Sequence, residues 1–280
     1  MARFVPISTA TVRENAAPVT GGRWLYPTAV TTAGSSLGLA DAVDWVSVVI
    51  RRIGGTPLLW VPKASTVATC TALREFVDNH RVVVAVAGEP IPEWHRGPVL
   101  AVWPRRAELA ELADEPRTTA LCVAPLRLDD IAAWAALTQP ELLGAAIMPP
   151  APPAPDPIVA QALITMTGML THPLTLVSPS DYRDATAILD ILHRAGHRFS
   201  GEAIYTWALA NGWPALGAGR LTELASSFDT GNPPLLPGGN PFQPGAIELW
   251  RARAAEATRE DLRTEWTTRA GFARDLAASR

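Results

Sequence analysis

The sequence contains little cysteine and has no long uninterrupted apolar run. Its 280 residues include only two cysteines, Cys70 and Cys122, which are too few for a disulfide framework or a four-cysteine zinc site. We therefore expect both to be small, buried core residues. No stretch of about 18 apolar residues lacks a charge or a proline, so no transmembrane helix is predicted.

The first residues of the chain also lack the pattern of a secretory signal. Arg3, Arg13 and Glu14 lie in this segment, and it has no continuous apolar stretch. A cytoplasmic location without membrane association is the expectation that follows by default.

Neither sign of charge dominates, and lysine is almost missing. The chain has 24 basic and 27 acidic residues and a formal net charge of −3, which argues against non-specific attraction to nucleic acid or an acidic membrane. Lys63 is the only lysine. Hydrophobic residues make up 48% of the chain, enough for a packed core. Because neither sign of charge dominates over the whole chain, any anion-binding site has to be built from a local group of residues.

Residues 1–147 alternate between short apolar segments and amphipathic segments. Strands are predicted at 23–26, 58–61, 82–86, 99–103 and 119–123, and helices at 38–53, 65–79, 105–114 and 128–143. This pattern predicts an α/β domain with a mostly parallel, doubly wound (Rossmann-like) sheet covered on both faces. The short segment 87–98 leaves open the orientation of strand 99–103 relative to strand 82–86.

A proline-rich segment, residues 148–157, follows the α/β domain. Six of its ten residues are proline, which favours an extended linker. Residues 158–280 are predicted to form a helical domain, with a long loop at 229–245 and one long helix over 246–278. The other helices are predicted at 158–171, from Ser178 to a cap at Gly196, at 201–211 and at 219–228.

Basic residues follow the ends of three predicted strands. Each strand ends in an apolar residue and a proline, and the cations come next: Lys63, the pair Arg105 and Arg106, and Arg127. Ligands of open α/β sheets bind beyond the carboxyl ends of the strands, where helix N-termini favour anions. We expect these four side chains to rim one anion-binding crevice, although prolines and arginines also occur in ordinary turns.

A loop of small residues, 31–38, follows the first predicted strand. Its backbone amides, together with Ser35 and Ser36, are candidates for holding a phosphate group. The loop matches neither common glycine-rich phosphate motif and has no lysine. A flexible turn with helix-capping serines is the simpler alternative.

Acidic residues and one histidine also lie beside predicted strands. Glu89, Glu93 and His95 follow the valine-rich strand and suggest acid–base chemistry or a metal ligand set, but an ordinary polar loop explains them equally. Asp129 and Asp130 lie where helix N-termini favour acids. The sequence predicts no metal site and identifies no cofactor.

Two further features are open to a functional interpretation. The segment 201–228 has the spacing of a helix-turn-helix, but Arg220 is the only basic residue of its second helix, and DNA-reading helices have several. Several of the ten tryptophans lie near the ends of elements, where they are candidates for a ligand pocket or a partner surface. These are Trp24, Trp94, Trp103, Trp213, Trp250 and Trp266.

These patterns favour a non-catalytic or accessory binding protein. Its α/β domain would bind an anionic, nucleotide-like ligand, and its helical domain would contact a protein partner or a second copy of the chain. The first alternative is an enzyme acting on a phosphorylated or nucleotide substrate through Glu89, His95 or Asp129. The second is a DNA-binding regulator that uses residues 201–228.

Overall fold

The computed structural model of the chain describes residues 24–171, 174–237, 239–242 and 245–258. Its first half contains six strands in one sheet, in the order β3-β2-β4-β5-β1-β6, and all pairings are parallel. The predicted parallel sheet is therefore confirmed. The strands are β1 (Thr28–Val30), β2 (Leu58–Val61), β3 (Val83–Val86), β4 (Gly97–Val102), β5 (Thr118–Ala124) and β6 (Glu141–Leu142).

Helices cover both faces of this sheet. On one face, α1 (Ser36–Ile53), α2 (Ser65–Thr69) and α3 (Thr71–Asn79) follow β1 and β2, and side chains such as Leu39 and Phe76 pack on Leu59 and Leu100. On the other face lie α4 (Arg106–Asp114) and, after a 3₁₀ turn at Leu128–Ile131, α5 (Ala132–Thr138). Alternation of side chains along each strand supplies apolar groups to both faces.

The second half is helical, as predicted. Its helices are α6 (Pro157–Met169), α7 (Pro179–Arg194), α8 (Gly201–Ala210) and α9 (Ala215–Asp229), and residues 246–258 are helical up to the end of the described chain. The Asp156 carboxylate accepts from the amides of Ile158 and Val159, and Pro157 opens α6, as expected at a helix start. Residues 259–278 of the predicted tail helix lie outside the described part. No described helix is both long and apolar enough to cross a membrane.

The two halves share buried contacts. Ala110 of α4 and Ala133 of α5 belong to the same apolar cluster as Leu163, Leu221 and other residues of the helical half. Asp114, at the end of α4, accepts a hydrogen bond of 2.8 Å from the backbone amide of Ala215 at the start of α9. The helical half therefore packs on the α4–α5 face of the α/β half.

Several predicted boundaries are wrong. No strand forms at Trp24–Tyr26, and β1 begins after Pro27 instead. The helix predicted over 128–143 ends at Thr138, because Gln139 turns into the left-handed region with φ 47° and the next residue, Pro140, has no amide to continue the helix. The chain then adds β6 beside β1, a strand that the sequence pattern did not indicate.

The helix predicted over 65–79 is divided at Cys70, whose backbone is extended. The Cys70 thiol is half-buried, whereas Cys122 in the centre of β5 is fully buried. Burial raises the pKa of the Cys122 thiol, which keeps it protonated and unreactive. The expectation of a buried core cysteine is thus confirmed for Cys122 and only partly met by Cys70.

Candidate ligand-binding site

The carboxyl ends of four strands lie side by side along one edge of the sheet. The registers pair Trp60 of β2 with Ala101 of β4, Val102 of β4 with Ala124 of β5, and Val123 of β5 with Val30 of β1. Neighbouring strands are about 4.8 Å apart. The four loops that follow these strands are therefore neighbours, in the order β2, β4, β5, β1.

The chain leaves this edge toward both faces, which creates two switch points. After β1 and β2 it passes to the α1–α3 face, and after β4 and β5 it passes to the α4–α5 face. The direction changes between β2 and β4 and again between β5 and β1. Diverging loops at such points leave a crevice, which is where doubly wound sheets usually bind ligands.

At the first switch point, Lys63 follows β2 and Arg105 follows β4. The Lys63 side chain is exposed and has no hydrogen-bond or ion-pair partner among the described residues. Arg105 is also exposed, but its Nε donates to Oε1 of Glu108 at 2.9 Å and its backbone amide donates to Oε2 of the same carboxylate. Glu108 raises the pKa of Arg105 and offsets its charge, so Lys63 is the cation most available to a ligand here.

Trp103 is the first residue after β4 and precedes Arg105 by two positions. Its φ is 52°, in the left-handed region that bulky residues rarely occupy. Its amide donates to the carbonyl of Ala124 at 2.7 Å, and its indole packs, half-buried, on the α1–α3 side of the sheet. Such a conformation costs on the order of 1–3 kcal/mol and persists only where the surroundings impose it, often at functional sites.

At the second switch point, the loop after β1 touches the loop after β5. The amide of Gly34 donates to the carbonyl of Pro125 at 2.9 Å. Ser35 caps α1, because its Oγ accepts from the amides of Leu37 and Gly38, so these two amides are already satisfied. Ser36 is the exposed first residue of the helix and is the loop serine that remains available to a ligand.

Thr31 is a residue of this site that the sequence pattern did not single out. It is 1% exposed, and its Oγ1 has no hydrogen-bond partner in the described part of the chain. The hydroxyl lies beside the first turn of α1, since a Cβ placed on Gly38 would be 3.1 Å from it. Leaving such a group unsatisfied costs about 1–3 kcal/mol. The available signal was a threonine directly after an apolar strand, as the first residue of the 31–38 loop, in which only Ser35 and Ser36 were named as side-chain candidates.

Arg127 and Arg106 have different surroundings. Arg127 follows β5 and pairs with Asp129 at 3.1 Å, with both side chains at least 70% exposed, so the pair is weak and easily rearranged. Arg106 instead pairs with Glu202 of α8 at 2.6 Å, and its guanidinium lies over the ring of Tyr205. Arg106 thus turns toward the helical half. Lys63, Arg105 and Arg127 follow β2, β4 and β5 along the carboxyl edge, and their convergence on one anion-binding crevice stays a prediction.

The predicted cluster of Glu89, Glu93 and His95 does not form at this edge. Glu89 follows β3 at the carboxyl edge, whereas His95 lies two residues before β4 at the amino edge. The connection between them, residues 87–96, has to run the length of the sheet because β3 and β4 are parallel to the same strand. Among the residues that the structure describes, no three His, Cys, Asp or Glu side chains are placed to hold a metal ion.

The segment 201–228 does form two packed helices, but the second helix does not have the basic surface of a DNA-recognition helix. The exposed side chains of α9 include Glu223 and Asp229, which DNA phosphates would repel. Arg220 donates to the carbonyl of Thr175 and is not exposed. These observations do not favour DNA binding through α9.

Comparison with known proteins gives a match in the helical half. Residues 155–251 are similar to a family described as a domain of unknown function, DUF1889. No curated protein matches the chain, and no solved structure matches it. The comparisons therefore assign no activity, and the site has to be interpreted from its own residues.

Proposed function

We propose that this chain is a non-catalytic or accessory binding protein whose α/β half binds an anionic, nucleotide-like ligand at the carboxyl edge of the sheet. The observation that supports this most directly is the order of side chains along that edge. Lys63, Trp103 and Arg127 follow three neighbouring strands, β2, β4 and β5. A cation, an indole and a second cation in succession suit a ligand with both a planar ring and negative charge.

Each group has a physical role in this proposal. The Trp103 indole offers a face for a ring to stack on, and the ammonium of Lys63 attracts phosphate as a point charge. Arg127 would exchange its exposed partner Asp129 for a ligand oxygen. The N-terminus of α1 adds partial positive charge at Ser36, and the Thr31 hydroxyl has an unused donor and acceptor nearby.

The helical half is proposed to contact another protein or a second copy of the chain. Several large apolar side chains of this half are exposed, which favours such contacts when they are contiguous. They are Ile164, Met169, Val177, Tyr182, Leu216 and Leu249.

The ligand proposal is tested by titrating the protein with ATP, AMP, adenosine and a short single-stranded oligonucleotide. We expect AMP or ATP to bind and adenosine to bind less, with an affinity that falls as salt is added. Lys63→Ala/Arg127→Ala should weaken nucleotide binding at least tenfold, which corresponds to about 1.4 kcal/mol. Arg81→Ala/Arg183→Ala is the matched control, because it removes two exposed arginines away from this edge.

The outcomes separate clearly. Weaker binding in the first double variant, with unchanged binding in the control, supports the site. Absence of nucleotide binding by the wild-type protein, or equal binding by both double variants, contradicts it.

A further inference from the structure

A cavity of about 630 Å³ opens at the opposite edge of the sheet, where the strands begin. This volume is in the range of small-molecule sites. The cavity lies between the end of α1 and the first residues of β1 and β5, far from the crevice described above. Its wall includes Pro27, Ile53, Gly54, Gly55, Arg96 and Thr119.

A β-bulge turns Thr119 out of the regular ladder. Gly97 pairs with Thr118 and Pro98 pairs with Ala120, so Thr119 is an extra residue on β5. Bulges of this kind re-aim a side chain and are frequent beside binding sites. The Thr118 hydroxyl donates to the carbonyl of Leu112, whereas the buried Thr119 Oγ1 has no partner in the described ranges. The bulge thus leaves one buried hydroxyl at the cavity wall unsatisfied.

Arg96 adds a positive charge to the same cavity. Its side chain is exposed and makes no ion pair or hydrogen bond with any described residue, in contrast to Arg117 nearby, which is paired with Glu115 at 2.7 Å. A cation and a hydroxyl that have no partner in the described part of the chain are the groups that a carboxylate would use.

The remaining wall is open and largely apolar. α1 ends at Ile53 and is capped by Gly54, and both Gly54 and Gly55 have positive φ, 72° and 94°. A Cβ on Gly54 would meet nothing within 4 Å, so the backbone there borders free space. Pro27 and Ile53 supply apolar surface against which a hydrocarbon body can pack.

We propose that this amino-edge cavity binds a small organic carboxylate with an apolar body. The carboxylate accepts hydrogen bonds from the Arg96 guanidinium and the Thr119 hydroxyl, and the apolar body lies against Pro27 and Ile53. This site is separate from the nucleotide-like site and does not depend on it.

The test uses 3-phenylpropionate, hexanoate and the neutral 3-phenylpropionamide as probes, with dissociation constants from ligand-observed NMR. We expect at least one carboxylate to bind and the amide to bind at least tenfold more weakly. Arg96→Ala should weaken carboxylate binding about tenfold. Thr119→Val keeps the shape of the side chain but loses the hydroxyl, and it should weaken binding several-fold without lowering the midpoint of thermal unfolding.

Lys63→Ala/Arg127→Ala serves as the control and should bind the carboxylate as the wild type does. No binding of either carboxylate, equal binding of the amide, or unchanged binding in Arg96→Ala would overturn the proposal. Loss of binding in the control, with binding kept in Arg96→Ala, would overturn it too, because it would move the site to the carboxyl edge.

Discussion

Trp103 holds its indole at the carboxyl edge through a backbone conformation that disfavours any side chain. The φ of Trp103 is 52°. The next residue, Pro104, is buried and has no amide hydrogen to donate to a hydrogen bond. The hydrogen bond from the Trp103 amide to Ala124 and the packing of the indole on the α1–α3 side are the interactions that offset this strain. The stability of the protein should therefore depend on the residue at position 103 in the opposite way from an ordinary strand position, with glycine favoured over alanine.

We expect Trp103→Gly to be more stable than Trp103→Ala by about 1 kcal/mol, because only glycine adopts positive φ without penalty. Both variants lose the indole, so the difference between their free energies of unfolding reports the backbone strain alone. Urea unfolding measures this difference. At Ala85, which lies in β3 with an ordinary strand conformation, the change Ala85→Gly should instead lower stability. If Trp103→Ala is the more stable of the two variants, the backbone at this position is not strained.

Glu115 provides a pH-dependent contribution to stability. Its carboxylate accepts two hydrogen bonds from the Arg117 guanidinium, at 2.7 and 2.8 Å, and these hold the pKa of Glu115 below its ordinary value. A carboxyl with a lowered pKa stabilises the folded state above its unfolded-state pKa, and this stabilisation is lost as the pH falls through the folded-state value.

Glu115→Gln should therefore be less stable than the wild type at pH 7 by up to about 1 kcal/mol, since the pair is partly exposed. The difference should shrink as the pH falls below the ordinary glutamate pKa of about 4.3 and on through the lowered folded-state pKa of Glu115, where the wild-type carboxyl becomes protonated. Urea unfolding at pH 7 and at pH 3.5 measures the two differences in unfolding free energy. A difference that stays constant over this range would show that the charge of Glu115 is not the cause.

At the scale of elements, boundaries follow local chemistry where a cap or a proline is present. Ser35 begins α1 and Asp156 begins α6 through side-chain caps, and both starts were close to the prediction. α9 differs, because it begins at Ala215 and includes Gly217, whereas the sequence pattern predicted a start at residue 219. A Cβ on Gly217 would clash with the carbonyl oxygen of Leu174, so this glycine allows close packing of a helix against another segment.

The helix at 246–258 is held to the helical half by Trp250. This side chain is 1% exposed, and its indole nitrogen donates to the Thr165 hydroxyl at 3.0 Å. Trp250→Ala should destabilise the protein by about 3–5 kcal/mol, as for other buried aromatic side chains. The neighbouring Leu249 is 48% exposed, and Leu249→Ala should change stability by less than about 0.5 kcal/mol. Chemical unfolding compares the two, and similar effects would contradict the buried contact.

At the scale of the whole molecule, the proline-rich segment 148–157 joins two parts that also share a core. The Arg106–Glu202 ion pair and the hydrogen bond from Ala215 to Asp114 cross between them, and so does the apolar cluster that includes Ala110. The halves should therefore behave as one body when the connecting segment is cut.

Limited proteolysis is expected to cut first within 148–157 or 229–245. Apart from Pro157, which opens α6, and Asp229, which ends α9, the described residues of these two ranges form no helix or strand. After a single cut within 148–157, the two fragments should still elute together in size-exclusion chromatography, because the shared core is intact. In denaturant they should elute apart. Separation of the fragments under native conditions would show that the contacts between the halves do not hold them together.

The amino-acid sequence by itself determined the class of the fold and most of its elements. Continuous apolar runs such as 58–61 and 119–123, between amphipathic helices, are compatible with little other than a buried parallel sheet. The order of apolar residue, proline and cation after three strands also located Lys63, Arg105 and Arg127 at one edge, because parallel strands all end on the same side. These are local patterns, and local chemistry is sufficient to produce them.

Only the tertiary structure decided which of these side chains are available to a ligand. Arg106 follows the same pattern as its neighbour Arg105, but α8 brings Glu202 within 2.6 Å of it, from 96 positions along the chain. The unsatisfied hydroxyls of Thr31 and Thr119 and the left-handed backbone of Trp103 likewise depend on contacts between strands and helices distant in sequence. Partners, burial and strain are properties of the packed molecule, so no local pattern of residues contains them.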